Sequence, residues 1–226
     1  MRLLRLRKGN ITSAAVNAVV TSANQLLVGA ASPKHWRFKD RVSCDEHVHK
    51  VCGGCLREEC LRLYPNGVQV GDAVVSKSFV GPRACEQLLF EADELEKKRC
   101  WFDYVIHAVG PTHYHPFSNF KLKCVYTNIF RAAYDHNQIS SIAVPAMCCG
   151  ANGIRPHISA NAAAFALLHE VISKTKSSRS KLDLIEFWFI DSEAHYIFGK
   201  VFENNGFSKV RQWQNHQEDS AVDFIL

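Results

Sequence analysis

Apolar residues run along this chain in two rhythms. The segments 16–21 (VNAVVT), 104–108 (YVIHA), 141–147 (SIAVPAM) and 184–190 (LIEFWFI) are nearly unbroken apolar runs, the mark of strands buried on both faces. Residues 3–7 and 72–80 alternate, and 222–226 forms a short closing strand. Helical spacing starts at Asp45, with Val48, Val51 and Cys52 on one face. It breaks at Gly53-Gly54 and resumes through Leu56, Cys60 and Leu63. Further helices are predicted over 120–136, 159–174 and 192–204.

Strands that alternate with helices predict one α/β domain over 1–226, with a mixed, largely parallel sheet covered on both sides. A polar stretch near 81–99, acidic and then basic, interrupts the pattern as an excursion from the core. Sheets of this kind bind ligands in the crevice beyond the strand carboxyl ends. Two loops fall there, 24–44 and 148–156.

Composition changes this picture little. With 47% hydrophobic and 22% charged residues the chain is an ordinary packed protein, and the net charge of +5 is mildly basic. The basic residues are scattered, apart from Arg2, Arg5, Arg7 and Lys8 and a stretch at 174–181, so no nucleic-acid partner is expected. No segment is apolar for long enough to span a membrane. The first residues alternate charged and apolar side chains without an apolar core segment, and the nine cysteines are odd in number. Reduced thiols in a cytoplasmic, possibly nuclear, protein are the expectation. No G-x-S-x-G elbow, phosphate-loop lysine motif or H-E-x-x-H is present.

The loop Cys148-Cys149-Gly150-Ala151-Asn152-Gly153 separates a buried strand from a helix. Its glycines and small residues let backbone approach a ligand, and successive amides near a helix start can cradle an anion such as a diphosphate. Two glycines in such a turn also serve purely structural ends.

Four ordered segments resemble the macrodomain family. Gly9-Asn10-Ile11-Thr12 followed by Val16 to Asn24 (VNAVVTSAN) is similar to the family's G-D-I-T and V-D-A-I-V-N-A-A-N. Asp45 to Gly53 (DEHVHKVCG) resembles D-G-x-I-H-x-A-A-G, and Tyr104 to Pro111 (YVIHAVGP) resembles Y-V-I-H-T-V-G-P. Ser141 to Gly153 resembles S-I-A-F-P-A-I-x-T-G-x-x-G. The resemblance covers about residues 5 to 200 and implies a three-layer α/β/α sandwich.

It also implies a site. Asn10 and Ile11 would meet the adenine, and Asn24 the distal ribose beside Gly29. Val48 would line one wall of the diphosphate channel, with Cys149, Gly150, Ala151, Asn152 and Gly153 wrapping the other. Asp45 would be the catalytic carboxylate, orienting or deprotonating a water near the anomeric carbon; helix N-capping is its alternative role. The implied partner is ADP-ribose or an ADP-ribosylated protein. The implied activity is hydrolysis of ADP-ribosyl linkages on proteins or of O-acetyl-ADP-ribose, with no cofactor.

Departures from the family pattern keep other readings open. Asn10 stands for an Asp, Thr21 for an Asn, Asn152 for an aromatic, and 28–38 for a glycine-rich stretch in which only Gly29 remains. A non-catalytic reader of ADP-ribose or a nucleotide is one alternative. A degenerate member acting as a protein-interaction module is another. Gly29, Pro33, His35 and Cys44-Asp45 echo a zinc-dependent subgroup, but the first cysteine of that motif is Ala30. No metal is therefore assigned.

Overall fold

A computed structural model describes residues 3–29, 43–80, 102–172, 182–210 and 221–225. Five parallel strands form the centre of an eight-stranded sheet: β4 (Tyr104–Val109), β2 (Ala18–Ala23), β5 (Ser141–Pro145), β6 (Leu184–Phe189) and β1 (Leu3–Lys8), in that spatial order. Antiparallel strands finish both edges. β3 (Ala73–Lys77) pairs with β4, while β8 (Val222–Ile225) pairs with β1 and carries the two-residue β7 (Ser208–Lys209) outside it. The mixed, largely parallel α/β sheet expected from the sequence is the one observed.

Period-two alternation sorts the strand residues onto two faces. Val20, Ile106, Val144 and Phe187 enter the larger core, under α3 (Ser118–Asp135), α4 (Pro156–Ala166) and α5 (Ser192–Asn204). Val19, Val105, Val109 and Ala143 face the smaller core, under α1 (Cys44–Cys52) and α2 (Gly54–Leu63). These are the three layers implied by the motifs. No helix among the described residues is long and apolar enough to cross a membrane.

The helix starts differ from the sequence expectation for identifiable reasons. Pro156 opens α4 three residues early because its missing N–H costs nothing in the first turn and its φ is already helical. α4 then widens into a π-turn over Leu167–Ile172. Asp45 is not the cap of α1. Ser43 is, its hydroxyl accepting the Glu46 amide at 3.1 Å, so the carboxylate of Asp45 is available for other partners. The 81–99 excursion and most of the altered loop after Gly29, including His35, Trp36, Arg37 and Phe38, lie outside the described residues.

Phe187 anchors the larger core, with ring centroids 5.4 Å from Phe202, 5.6 Å from Phe198 and 6.2 Å from Tyr126. A Phe187→Ala substitution is expected to lower the unfolding free energy by about 3–5 kcal/mol, read as a reduced urea midpoint at unchanged m-value.

Candidate functional site

Because the five central strands are parallel, their carboxyl ends share one edge of the sheet, and the loops after them meet there. After β2, Asn24 closes a tight loop on itself. Its Nδ2 donates to the Gly29 carbonyl at 2.9 Å, and its Oδ1 accepts from the Leu26 amide at 3.0 Å. Gly29 sits at φ +82°, and a Cβ there would lie 3.1 Å from His49 Cγ. The glycine thus lets the loop lie directly on the α1 histidine.

α1 carries the most unusual group. Asp45 is 1% exposed, on the first turn, where the helix dipole favours a negative charge. Thr21 Oγ1 donates to Asp45 Oδ1 at 2.8 Å. One turn on, His49 Nε2 stands 3.7 Å from the same oxygen. Cys44, beside them, is no nucleophile, because burial first and the Asp45 charge second push its thiol up to about 12.

A buried polar stripe continues from this pair across the sheet. Thr21 and His107 are register partners on β2 and β4, and both point toward α1 and α2. His107 Nε2 shares hydrogen bonds with Ser76 Oγ on β3 at 2.9 Å and with Cys60 Sγ on α2 at 3.4 Å. The His49 and His107 rings lie 6.1 Å apart. Burial, with the nearby His49 adding to it, holds the His107 pKa down at about 3, and burial also lowers that of His49 against the pull of Asp45. Both imidazoles are therefore neutral at pH 7. Neither histidine was singled out as a site residue from sequence, although the D-x-x-x-H spacing places His49 on the Asp45 face of the helix.

The remaining predicted residues fall into two groups. Asn10 caps the 3-10 turn Ile11–Ser13: its Oδ1 accepts from the Thr12 amide at 3.1 Å and the Thr12 hydroxyl at 3.0 Å. Its Nδ2 meets His47 Nδ1 at 2.9 Å, which ties this turn to α1. Ile11 and Val48 are buried in the smaller core. Asn10, Asn24, Gly29, Asp45 and Val48 thus gather around α1.

The second group is the loop after β5. Cys148 adopts φ +65°, and the chain turns back so that the Gly153 amide donates to the Gly150 carbonyl at 3.0 Å. The amides of Gly150, Ala151 and Asn152 donate to no acceptor among the described residues. Gly150 borders open space. Burial raises the Cys148 thiol to about 12 and that of Cys149 to about 11, so neither is a thiolate at pH 7. The loop is held from below by Tyr126, whose hydroxyl accepts from the Met147 amide at 2.9 Å and bonds Ser159 at 2.7 Å. From the side, His113 donates its amide to the Asn152 carbonyl at 2.8 Å, and a Cβ at Gly110 would overlap Cys148 Sγ.

No group of three His, Cys, Asp or Glu among the described residues is arranged to hold a metal ion. A separate cleft of about 500 Å³ opens at the β3 edge, lined by Tyr64, Gln69, Asp72, Asn128 and Arg131. It contains none of the residues selected from the sequence.

Two outcomes follow from these contacts. Tyr126→Phe strands the Met147 amide and is expected to cost about 1–3 kcal/mol of stability, measurable by urea denaturation. The unfolded chain takes up a histidine proton near pH 6.5, whereas His107 in the fold stays neutral to about pH 3. Stability is therefore greatest above pH 6.5 and falls as the pH drops from 6.5 toward 3. His107→Asn should flatten that decline by up to about 1.4 kcal/mol per pH unit in a denaturation series.

Comparison with known proteins accounts for this arrangement. The Macro domain family model matches residues 20–163. An O-acetyl-ADP-ribose deacetylase 2 of Pantoea vagans is 25% identical over 205 residues, spanning 89% of this chain and 99% of that protein. An ADP-ribose glycohydrolase MACROD2 of Xenopus laevis is 29% identical over 183 residues, 80% of this chain but 35% of the frog protein. Among solved structures, a Trypanosoma brucei macrodomain in complex with ADP-ribose superposes with a TM-score of 0.65 at 21% identity, covering 87% of this chain and 68% of the other. The sheet order, the loops gathered at its carboxyl edge and the family match together make this chain a member of the Macro domain family.

Proposed function

We propose that the chain binds ADP-ribose along the carboxyl edge of the sheet and hydrolyses an ADP-ribosyl linkage, on a protein or in O-acetyl-ADP-ribose. The observation that carries this reading is the setting of Asp45: a buried carboxylate fixed by Thr21 and faced by a neutral histidine, beside the Asn24–Gly29 loop. The names of the Pantoea and Xenopus relatives support the same chemistry.

The amides of Gly150, Ala151 and Asn152 hold the diphosphate, with backbone dipoles supplying the positive potential. The second N–H of the Asn24 carboxamide serves a ribose hydroxyl, since the first is committed to Gly29. Asp45 orients a water toward the reacting carbon, the anomeric carbon of an ADP-ribosylated protein or the acetyl carbonyl carbon of O-acetyl-ADP-ribose, and accepts its proton as the carbon–oxygen bond to the leaving group breaks. His49 limits how Asp45 can turn, and its neutrality leaves the carboxylate charge undiminished by an imidazolium.

Asn10 departs from the family's acid in a consequential way. Its oxygen already accepts two hydrogen bonds from Thr12, so an adenine amino group gains little from it. Adenine specificity then rests on shape and backbone more than on this side chain.

The near-complete burial of Asp45 favours a second reading, a binder without turnover. One pair of measurements separates the two. Calorimetry should give binding of ADP-ribose that exceeds that of ADP, with AMP weaker still. Turnover of O-acetyl-ADP-ribose or an ADP-ribosylated protein should fall about 10²- to 10⁴-fold in Asp45→Asn, with ADP-ribose affinity retained. Binding without turnover by the native protein would establish the reader, and full turnover by the variant would remove Asp45 from the mechanism.

A further inference from the structure

β3 is an edge strand, and among the described residues its outer side is unpaired. The Ser78 amide donates to the Asp103 carbonyl, and the Asp72 carbonyl accepts from the Val109 amide. The even-numbered residues between them therefore turn their backbone toward β4, and Ala73, Val75 and Lys77 turn theirs outward. Tyr64 keeps this phase, its hydroxyl donating to the Val75 carbonyl from outside at 2.7 Å. The amides of residues 73, 75 and 77 donate to no acceptor among the described residues. Edge groups of this kind are a template for another strand.

The edge restricts what can pair with it. Gly71 and Asp72 both oppose Val109, a bulge that ends regular pairing and leaves 73–77 as the usable length. Opposite charges stand at its two ends. Ala73 and Val75 pack against the larger core, so alternation puts Lys77 on the same, α3-bearing face. Lys77 is exposed and makes no ion pair among the described residues; Glu59, whose carboxylate feels its charge, is held by Arg62 at 2.7 Å. Asp72 turns to that face as well, where its hydrogen-bond partner is the neutral Asn128 Nδ2 at 3.4 Å. Arg131, which lines the cleft beside Asp72, is engaged by Glu170.

One occupant satisfies both ends. A second copy of β3, antiparallel and related by a two-fold axis at Val75, sets 73 opposite 77, 75 opposite 75 and 77 opposite 73. Each facing pair exchanges two backbone hydrogen bonds, so every free amide on both strands is used. The same register brings Lys77 of each copy beside Asp72 of the other, at the mouth of the cleft. Parallel pairing in register sets Lys77 against Lys77, and an antiparallel shift by two residues leaves amides unpaired and separates the charges. We infer that the chain forms a homodimer through its β3 edges, joining two sheets into one. A lysine on an edge ordinarily discourages pairing; here it selects a single register. The carboxyl edges of the two copies face opposite ways, so the inference does not depend on the ADP-ribose reading.

Sedimentation equilibrium of the full chain should show a monomer–dimer equilibrium that weakens with salt. In hydrogen exchange, the amides of 73, 75 and 77 should gain protection as the dimer forms. Lys77→Asp sets a carboxylate against Asp72 at both ends and should weaken dimerisation about tenfold or more; Lys77→Asp/Asp72→Lys should restore it. Val75→Pro removes a donor from the outer side and none from the β4 ladder, and should abolish the dimer. A dimer indifferent to Lys77→Asp and Val75→Pro overturns the inference, as does a charge exchange that restores nothing. So does a monomer at all concentrations. Unprotected amides in that monomer would leave the edge to a strand of another protein, and protected ones would assign it to the chain's own 81–99 excursion.

Discussion

Burial of both faces of the central parallel strands β4, β2, β5 and β6 is the constraint on which the rest of this structure depends. Every second residue of β2 and β4 must enter one core or the other, and a polar residue in such a position must find a partner inside. Thr21 and His107 are these residues on the smaller-core side. Thr21 is satisfied by Asp45, which brings a carboxylate into the interior at the start of α1. His107 finds partners for its Nε2 in Ser76 and Cys60, which ties β3 and α2 to the same stripe. The position of the candidate acid is thus a consequence of sheet packing as much as of the helix that bears it.

The two loops at the sheet edge are built on opposite plans. Asn24 commits one N–H to the Gly29 carbonyl and its oxygen to the Leu26 amide, and Gly29 rests on His49. The 148–153 loop leaves three successive amides without acceptors among the described residues and transfers its support to Tyr126, Ser159 and His113. A rigid backing with an unsatisfied backbone in front is what anion binding asks for, since the donors are held in place before the ligand arrives. The first loop contributes shape, and the second contributes charge.

Much of this was legible in the residues alone. The apolar runs located β2, β4, β5 and β6 to within a residue or two because two-sided burial leaves a continuous signal. The two-residue β7 has no such signal, being exposed and held by its pairing with β8 and by the Lys209–Glu203 ion pair. The start of α3 at Ser118 was missed because no side chain caps it, and that of α4 because Pro156 was read as part of the loop. At the site, the resemblance selected Asp45, Asn24 and the glycine loop. It did not reveal that Asn10 is consumed by its own turn, or that Ser43 frees Asp45 from capping. His49 and His107 both stand in the matched motifs, but the motifs do not show that they line one buried stripe with Thr21, Ser76 and Cys60. Hydrogen bonds between distant segments leave no trace in local pattern, so these roles had to wait for three dimensions.

Gly110 and Cys148 illustrate what such packing means for the history of the chain. The two belong to different loops, yet any side chain added at the first would occupy the space of the second's sulfur. Neither position can therefore drift alone: a larger residue at 110 is admissible only after 148 has become smaller, and the order of the two steps matters. The left-handed backbone at Cys148 narrows the choice further, because residues that tolerate that conformation are few. Descendants of this sequence are expected to change the pair together or to keep both, which makes the junction of these loops a slow-moving part of an otherwise divergent edge.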